Sequence, residues 1–325
     1  METVMFENYH YFLQLAETNN VTQAARELFV THQCLSRYLA KLEKECGTAL
    51  FYRKPRFTLT PEGRMLLDTL RQVESLEMDI RQHFREGLEG TSGTIRVGTT
   101  EGRFRIFIPP LITSYSALYP HMHLAVTSAR PDALEAMMLN NKLDLMLIGQ
   151  PRQLSRFIKS QIVLQERLYV VLSDAMCRKY FPEAYAAGLE PLKKGIAAEQ
   201  LIPIPFSFNL PSANSSLILD SFLKRQGVSL NVVHVSNHPD LHHILTTQNY
   251  AASFCLTMYL PNLKSINERT ENKLHVFPIL GLDETNPVAI AYRSDKTAAP
   301  YFKALIRTIK KECQYYQDFH PDDLF

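Results

Sequence analysis

Between Thr31 and Lys44 the chain reads THQCLSRYLAKLEK, in which Leu35, Leu39 and Leu42 recur at helical spacing and form one apolar stripe. The opposite face carries His32, Gln33, Ser36, Arg37, Ala40, Lys41 and Lys44. These are the groups that reading double-stranded DNA requires. An arginine can donate two parallel bonds to guanine, a glutamine can pair with an adenine edge, and serine or lysine can reach bases and phosphates. Thr31 is an N-cap candidate, and the helix start behind it offers free N–H groups to a phosphate. Further along, Arg53-Lys54-Pro55-Arg56 sets three cations around a turn. The candidate DNA-binding residues are therefore Thr31, His32, Gln33, Ser36, Arg37, Lys41, Arg53 and Arg56.

The neighbouring segments supply a frame for this face. Phe6, Tyr9, Leu13 and Ala16 mark a first amphipathic helix, and Asn20 with Gln23 caps a short second one carrying Ala24, Ala25 and Leu28. Phe29-Val30 makes the turn into the polar-faced helix, which Gly47 can stop. Two short helices around a tight turn make a helix-turn-helix. FYRKPRFTLT then reads as a two-stranded hairpin, a wing beside the groove, and Thr60-Pro61 opens a new helix.

That helix is expected to run from about Pro61 to Glu86. Leu66, Val73 and Ile80 are seven apart, with Leu70 and Phe84 adding to a long narrow seam that Glu77 interrupts. Such a seam suits pairing with a second copy, with burial inside one globular domain as the plainer reading. Gly87, Gly90 and Gly93 around Thr91-Ser92 read as a linker.

Charge follows the same division. The whole chain of 325 residues has 35 basic and 33 acidic residues, a net of +2, so its total charge points to no partner. From Arg26 to Arg64, however, eight Lys/Arg face four Asp/Glu, while the flanking stretches are net acidic. A basic patch confined to one helix and its hairpin is the footprint of a phosphate-contacting surface.

Composition bounds the rest. With 46% hydrophobic and 21% charged residues the chain is globular, which excludes collagenous, low-complexity and disordered classes. Five scattered cysteines without a C-x-x-C argue against a disulfide framework and a structural zinc site, and for a reducing cytosol. METVMFENYHYFLQLAE lacks the pattern of a signal peptide, and no apolar run approaches the ~20 residues of a membrane span. The expected location is cytoplasmic, with no membrane partner.

From Thr94 onward short β-type runs (TIRVGT, HLAVTS, LDLMLIG, RLYVVLS, LNVVHVS, VAIAYRS) alternate with helical stretches such as PPLITSYSALYP, DALEAMMLNN, SLILDSFLKRQG and PYFKALIRTIKKE. This alternation predicts an α/β fold with a mainly parallel, helix-covered sheet.

The stretch from Asn19 to Gly63 resembles the N-terminal signature of LysR-type transcriptional regulators. The matching residues are Ala24, Ala25, Leu28, Val30, Thr31, Leu35, Ser36, Leu42, Glu43, Gly47, Leu50, Phe51, Arg53, Leu59, Thr60 and Gly63. The resemblance extends more weakly over the remainder. It implies a winged helix-turn-helix at 1–60, a dimerising linker helix at 61–90, and a two-lobed α/β effector-binding domain at 94–325 resembling periplasmic binding proteins. Lobe one is then expected at about 94–164 and 270–325, and lobe two at about 165–269. It further implies a regulator assembled as a homodimer or homotetramer, acting on double-stranded DNA, with RNA polymerase as a further partner. A small-molecule effector, expected to be anionic, would bind between the lobes, and no cofactor is implied. The usual Ser-Gln-Pro-Ala turn is Thr31-His32-Gln33-Cys34 here, so base preference does not transfer.

An effector cleft should lie at the C-terminal ends of strands. Thr99 and Thr100 end the first strand and resemble effector-contacting hydroxyl positions. Gly149 ends LDLMLIG, and Ser207, Phe208 and Asn209 lie in a lobe-two loop. Arg103 and Arg105 could pair with an anion.

Other readings of the same residues fit less well. His234, His238, His242 and His243 invite metal sensing, but Pro239 places His238 at a helix cap and no cysteine or carboxylate set completes a site, so the cluster reads as a solvated helix start. A redox switch would need Cys177 and Cys255 to meet, and Cys34 and Cys46 read as packing. For an enzyme, no P-loop, G-x-G-x-x-G, G-x-S-x-G or H-E-x-x-H is present, and Asp144 with His123 or Asp240 with His242 are pairings any His-containing chain allows. A solute-binding protein would lack the helix-turn-helix. No catalytic or metal-ligating residue is assigned.

Overall fold

The computed structural model describes residues 8–89, 92–149, 154, 158–211, 213–293 and 299–324. Contacts divide the chain into two compact units, residues 1–90 with 139–142, and residues 91–138 with 143–325.

In the first unit, α1 (Tyr9–Thr18), α2 (Val21–Glu27) and α3 (His32–Cys46) precede a hairpin of β1 (Phe51–Tyr52) and β2 (Thr58–Leu59), and α4 (Pro61–Glu89) follows. The start and stop signals work as the residues dictate. The Asn20 side chain accepts from Gln23 N at 3.1 Å, and Thr31 Oγ1 accepts from Cys34 N at 3.1 Å. Gly47 closes α3 in the left-handed region at φ 69°. Thr60 Oγ1 accepts from Gly63 N at 3.0 Å, with Pro61 at the first helical position.

Phe12, Leu15, Ala24, Ala25, Leu35, Leu39, Leu42, Leu50 and Phe51 form this unit's core, with Phe57 stacked on Phe51. On α1 the deepest residues are Phe12 and Leu15, whereas Tyr9 and Leu13 pack at its margin; Phe6 lies outside the described residues. Leu66, Leu67 and Leu70 of α4 also belong to this core. The expected seam is thereby corrected, because its first two members are spent within the unit. Val73 is half-buried, while Leu76 and Ile80 are exposed. The Phe84 side chain lies outside the description. Glu77 accepts a bond from the Tyr9 hydroxyl at 3.0 Å, so it lies towards α1. α4 also runs through Gly87, and Gly93 opens the next strand, which shortens the expected linker.

In the second unit, five strands form a sheet in the order β4-β3-β5-β12-β6. They are β3 (Gly93–Thr99), β4 (Met122–Ser128), β5 (Leu145–Gly149), β6 (Ile158–Glu166) and β12 (Asn286–Arg293). Helices α5 (Glu101–Leu118) and α13 (Pro300–Asp318) pack on it around Phe107, Leu111, Tyr115, Leu305 and Ile309, and α6 (Pro131–Leu139) follows β4. α5 starts well before the expected Pro109 and carries Pro109 and Pro110 inside it. Pro110 removes the N–H that Ile106 O would accept, and the Tyr316 hydroxyl donates to that carbonyl at 2.9 Å instead.

A second lobe holds β7 (Leu168–Ser173) between β10 (Ser253–Leu256) and β11 (Leu274–Pro278), and a parallel pair of β8 (Pro205–Asn209) and β9 (Asn231–Ser236). Its helices are α7 (Asp174–Tyr180), α8 (Pro182–Ala186), α9 (Glu190–Lys193), α10 (Asn214–Gln226), α11 (Pro239–Thr247) and α12 (Leu260–Arg269). The expected mainly parallel sheet is corrected. β3 runs parallel to β4 and β5, but β12 is antiparallel to β5 and β6, and β7 is antiparallel to both neighbours. A strand leaving for the second lobe and one returning from it must run in opposite directions.

The expected lobe boundaries shift accordingly. The first crossing is at Arg167, between β6 and β7, and the return falls between Pro278 and Asn286 because β11 pairs with β7. The chain end crosses again: Leu324 is buried among Leu260, Leu263, Leu274 and Val276 of lobe two.

Candidate nucleic-acid interface and interlobe cleft

On α3, Leu35, Leu39 and Leu42 are buried, and Thr31, His32, Gln33, Arg37, Ala40, Lys41 and Lys44 are exposed. Ser36 is half-buried, 3.4 Å from His32 Nδ1. A groove of about 440 Å³ runs beside this face, lined by Asn8, Tyr11, Gln33, Arg37 and Lys41 among others. Asn8 and Tyr11 enter through α1, and nothing in the local spacing of that helix marked them. Tyr11 packs edge-on against Tyr38 of α3 at 5.4 Å. Cys34 is exposed at the edge of the same groove, which corrects its reading as a packing residue.

The wing is tied to α3 by one side chain. Glu43 Oε1 accepts from Leu50 N at 2.9 Å and Phe51 N at 3.3 Å, and its Oε2 pairs with Arg53 Nη2 at 2.7 Å. Arg53 therefore leaves the hairpin already oriented by α3, while Lys54 and Arg56 are exposed at its tip. A Cβ on Gly63 would stand 2.0 Å from Leu50 O. Only glycine lets α4 start against β1 so closely.

In the second unit the expected effector residues divide into two groups. Thr99 is buried and donates to Leu147 O at 2.9 Å, so its hydroxyl serves the sheet. Thr100 accepts from Arg103 Nη1 at 3.3 Å, and Gly149 O accepts from Asn214 Nδ2 of lobe two at 3.1 Å. Asn209 donates to Ser215 Oγ at 3.0 Å, and the half-buried Phe208 ring meets Phe254 edge-on. Thr100, Gly149 and Asn209 thus stand at facing strand ends. Ser207 is buried, its Oγ 2.6 Å from His242 Nδ1 and 2.9 Å from His234 Nδ1. At least one ring must donate to that oxygen, because the hydroxyl has a single proton to give.

Both cleft arginines are already matched. Arg103 Nη2 lies 2.6 Å from Glu166 Oε2, and both residues are buried. Asn286 Nδ2 donates to the same oxygen at 2.7 Å. Arg105 bridges Glu101 at 3.2 Å and Asp240 at 3.4 Å. Sequence reasoning missed Glu166, Asn286 and Asn214, which are distant in the chain and meet only through the two crossings.

His242 and His243 are buried, correcting the expected solvated helix start; His238 caps α11 as Pro239 implied. Burial lowers His242 to about 4, with His234 adding to the effect, and lowers His243 to about 3. Burial also raises the Cys177 thiol to about 12 and pushes Cys255 up, and the two sit in separate clusters, which disfavours a thiolate switch. Asp144 is held by Arg96 at 2.8 Å, and Asp240 faces Arg105. Among the described residues no helix is long and apolar enough to cross a membrane.

The family model for the LysR substrate binding domain matches residues 88–314, and that for the bacterial regulatory helix-turn-helix protein, lysR family, matches residues 6–64. The chain belongs to the LysR family. Among relatives of this LysR chain, the uncharacterized HTH-type transcriptional regulator YcgK of Bacillus subtilis (strain 168) is 26% identical over 202 residues, 62% of each chain. The HTH-type transcriptional activator CmpR of Synechocystis sp. (strain ATCC 27184 / PCC 6803 / Kazusa) is 24% identical over 237 residues, covering 71% of this chain and 72% of that one. The chain thus spans about three fifths of the first relative's length. These names are those of regulators, not enzymes.

Solved structures agree on the fold. A full-length OxyR variant from Pseudomonas aeruginosa has a TM-score of 0.61 at 19% identity, covering 96% of this chain and 98% of that one. Full-length CbnR complexed with its target DNA has a TM-score of 0.54 at 18% identity, covering 96% and 100%.

Proposed function

We propose that this LysR-family chain is a sequence-specific DNA-binding transcriptional regulator. The observation that carries this reading is the outward face of α3, where Gln33, Arg37 and Lys41 stand exposed above a leucine stripe that fixes the helix in its unit. In this reading α3 enters the major groove with Thr31, His32, Gln33, Ser36, Arg37 and Lys41, and the wing sets Arg53 and Arg56 on phosphates. Its domains are a head at 1–60, a linker helix at 61–90 and an effector domain at 94–325. The exposed Leu76 and Ile80 of α4 are the residues offered to a second copy, giving a homodimer or a tetramer of such dimers. The protein acts in the cytoplasm, and its output passes to RNA polymerase.

An effector in the interlobe cleft would meet Thr100, Gly149 and Asn209 at strand ends, beside Asn214. It acts by binding one lobe arrangement more tightly than the other. Selection of genomic fragments by the purified protein at near-physiological salt tests the regulator reading. Enrichment of a few near-palindromic sites is expected; uniform retention of all fragments would reject it.

A further inference from the structure

Where the chain passes between the two lobes, a buried carboxylate is held by an arginine and an amide of the same chain. Arg103 comes from the first turn of α5, Glu166 from the last residue of β6, and Asn286 from the first residue of β12. Arg103 is 9% exposed, Glu166 1% and Asn286 2%. Glu166 Oε2 accepts from Arg103 Nη2 at 2.6 Å and from Asn286 Nδ2 at 2.7 Å. Short charge-assisted bonds of this kind are among the strong ones a buried carboxylate makes. Gly149 packs directly on the group: a Cβ there would stand 3.0–3.2 Å from both Arg103 Nη atoms and from Asn286 Nδ2. The same glycine's carbonyl receives Asn214 from lobe two. Glu166 also stands one residue before the first crossing, and Asn286 directly after the return. Among the described residues, two buried polar atoms in the group, Arg103 Nε and Asn286 Oδ1, find no hydrogen-bond partner.

We propose that Glu166 is a built-in anion, a covalently attached carboxylate occupying the site where Arg103 and Asn286 would otherwise take a free one. The inference rests on the interlobe region being the effector cleft, but not on DNA binding. It means that the lobe-one floor is set without a ligand. A carboxylate effector then gains nothing from Arg103, and recognition falls to the outer groups, Thr100, Asn209 and Asn214. Removing the Glu166 side chain should therefore create a small-carboxylate site at the hinge.

The test uses the full-length chain and thermal melting, with formate and acetate as probes and chloride at equal ionic strength as control. Wild type should show no saturable shift with either carboxylate. Glu166→Ala should lose about 10 °C, as expected for an uncompensated buried arginine. Formate or acetate should return a saturable part of that loss, and Glu166→Ala with Arg103→Met should show no such return. Glu166→Gln removes the charge but its amide still fills the site, so it should lose stability and show no saturable carboxylate shift; Glu166→Ser opens the site should the alanine variant not fold. A saturable shift in wild type abolished by Arg103→Met would overturn the proposal, as would folded alanine or serine variants that no carboxylate stabilises. Melting makes no use of DNA, so failure here is separate from failure of the regulator reading.

Discussion

Glu43 Oε2 and Arg53 Nη2 lie 2.7 Å apart, joining α3 to the β1–β2 hairpin by a charge-assisted bond. The other oxygen of the same carboxylate caps the backbone of Leu50 and Phe51. One side chain thereby sets the distance between the two surfaces that would straddle a DNA strand.

Glu43→Ala should destabilise the chain by about 1–3 kcal/mol, because it strips an acceptor from part-buried backbone N–H groups. Glu43→Gln keeps that acceptor and should cost less, while loosening Arg53. Urea unfolding followed by circular dichroism separates the two; equal losses would show that the backbone caps contribute nothing.

Gly63→Ala should cost at least about 2 kcal/mol, since its Cβ would collide with the Leu50 carbonyl and neither backbone can retreat without breaking the wing. The cost should appear in urea unfolding together with a loss of DNA affinity. A variant as stable as wild type would show that α4 does not start where it is placed.

Ile80→Glu should halve the sedimentation mass, because Ile80 is exposed beyond the residues that α4 spends in its own unit's core. Leu70→Glu should instead unfold that unit. An unchanged mass for Ile80→Glu would remove this stretch of α4 from the dimer interface.

Acid should destabilise the second lobe through its buried rings. His242 and His243 titrate near 4 and 3 when folded, against an ordinary value of about 6.5, and burial shifts His275 in the same direction against the pull of Asp174. Between about pH 6.5 and 4 the unfolded chain binds protons that the folded one refuses, so stability rises with pH across that window. It is complete above about 6.5 and declines as the pH falls. The melting midpoint should be level from pH 7 to 8 and drop from 6 to 4.5, with a shallower drop in His243→Asn. An identical slope in that variant would contradict the assignment.

The head was legible because its signals are local. Asn20, Thr31, Gly47 and Thr60 cap or stop helices through groups within four residues of themselves. The leucine stripe of α3 likewise follows from spacing alone. The seam on α4 was overextended because Leu66 and Leu70 have the same heptad spacing whether they face a partner or the head's own core. In the second unit, Thr99 was correctly placed at a strand end, whereas Ser207, expected in a loop, lies within β8; their hydroxyls point into the sheet and towards two histidines. Spacing along one strand cannot show which side-chain oxygen is already bonded. Glu166 and Asn286 are 120 residues apart and meet only because the chain leaves lobe one and returns.

The central claim is that α3 reads bases, and binding measured against salt tests it most directly. Dissociation constants would be measured for wild type and Arg37→Ala on a selected duplex and on a random one. Wild type should prefer the selected duplex by on the order of 10³-fold or more. Arg37→Ala should lose about 1–3 kcal/mol on the selected duplex only, with a nearly unchanged loss of affinity per decade of salt. Equal weakening on both duplexes would make Arg37 a phosphate contact. A wild-type preference near one would contradict the account.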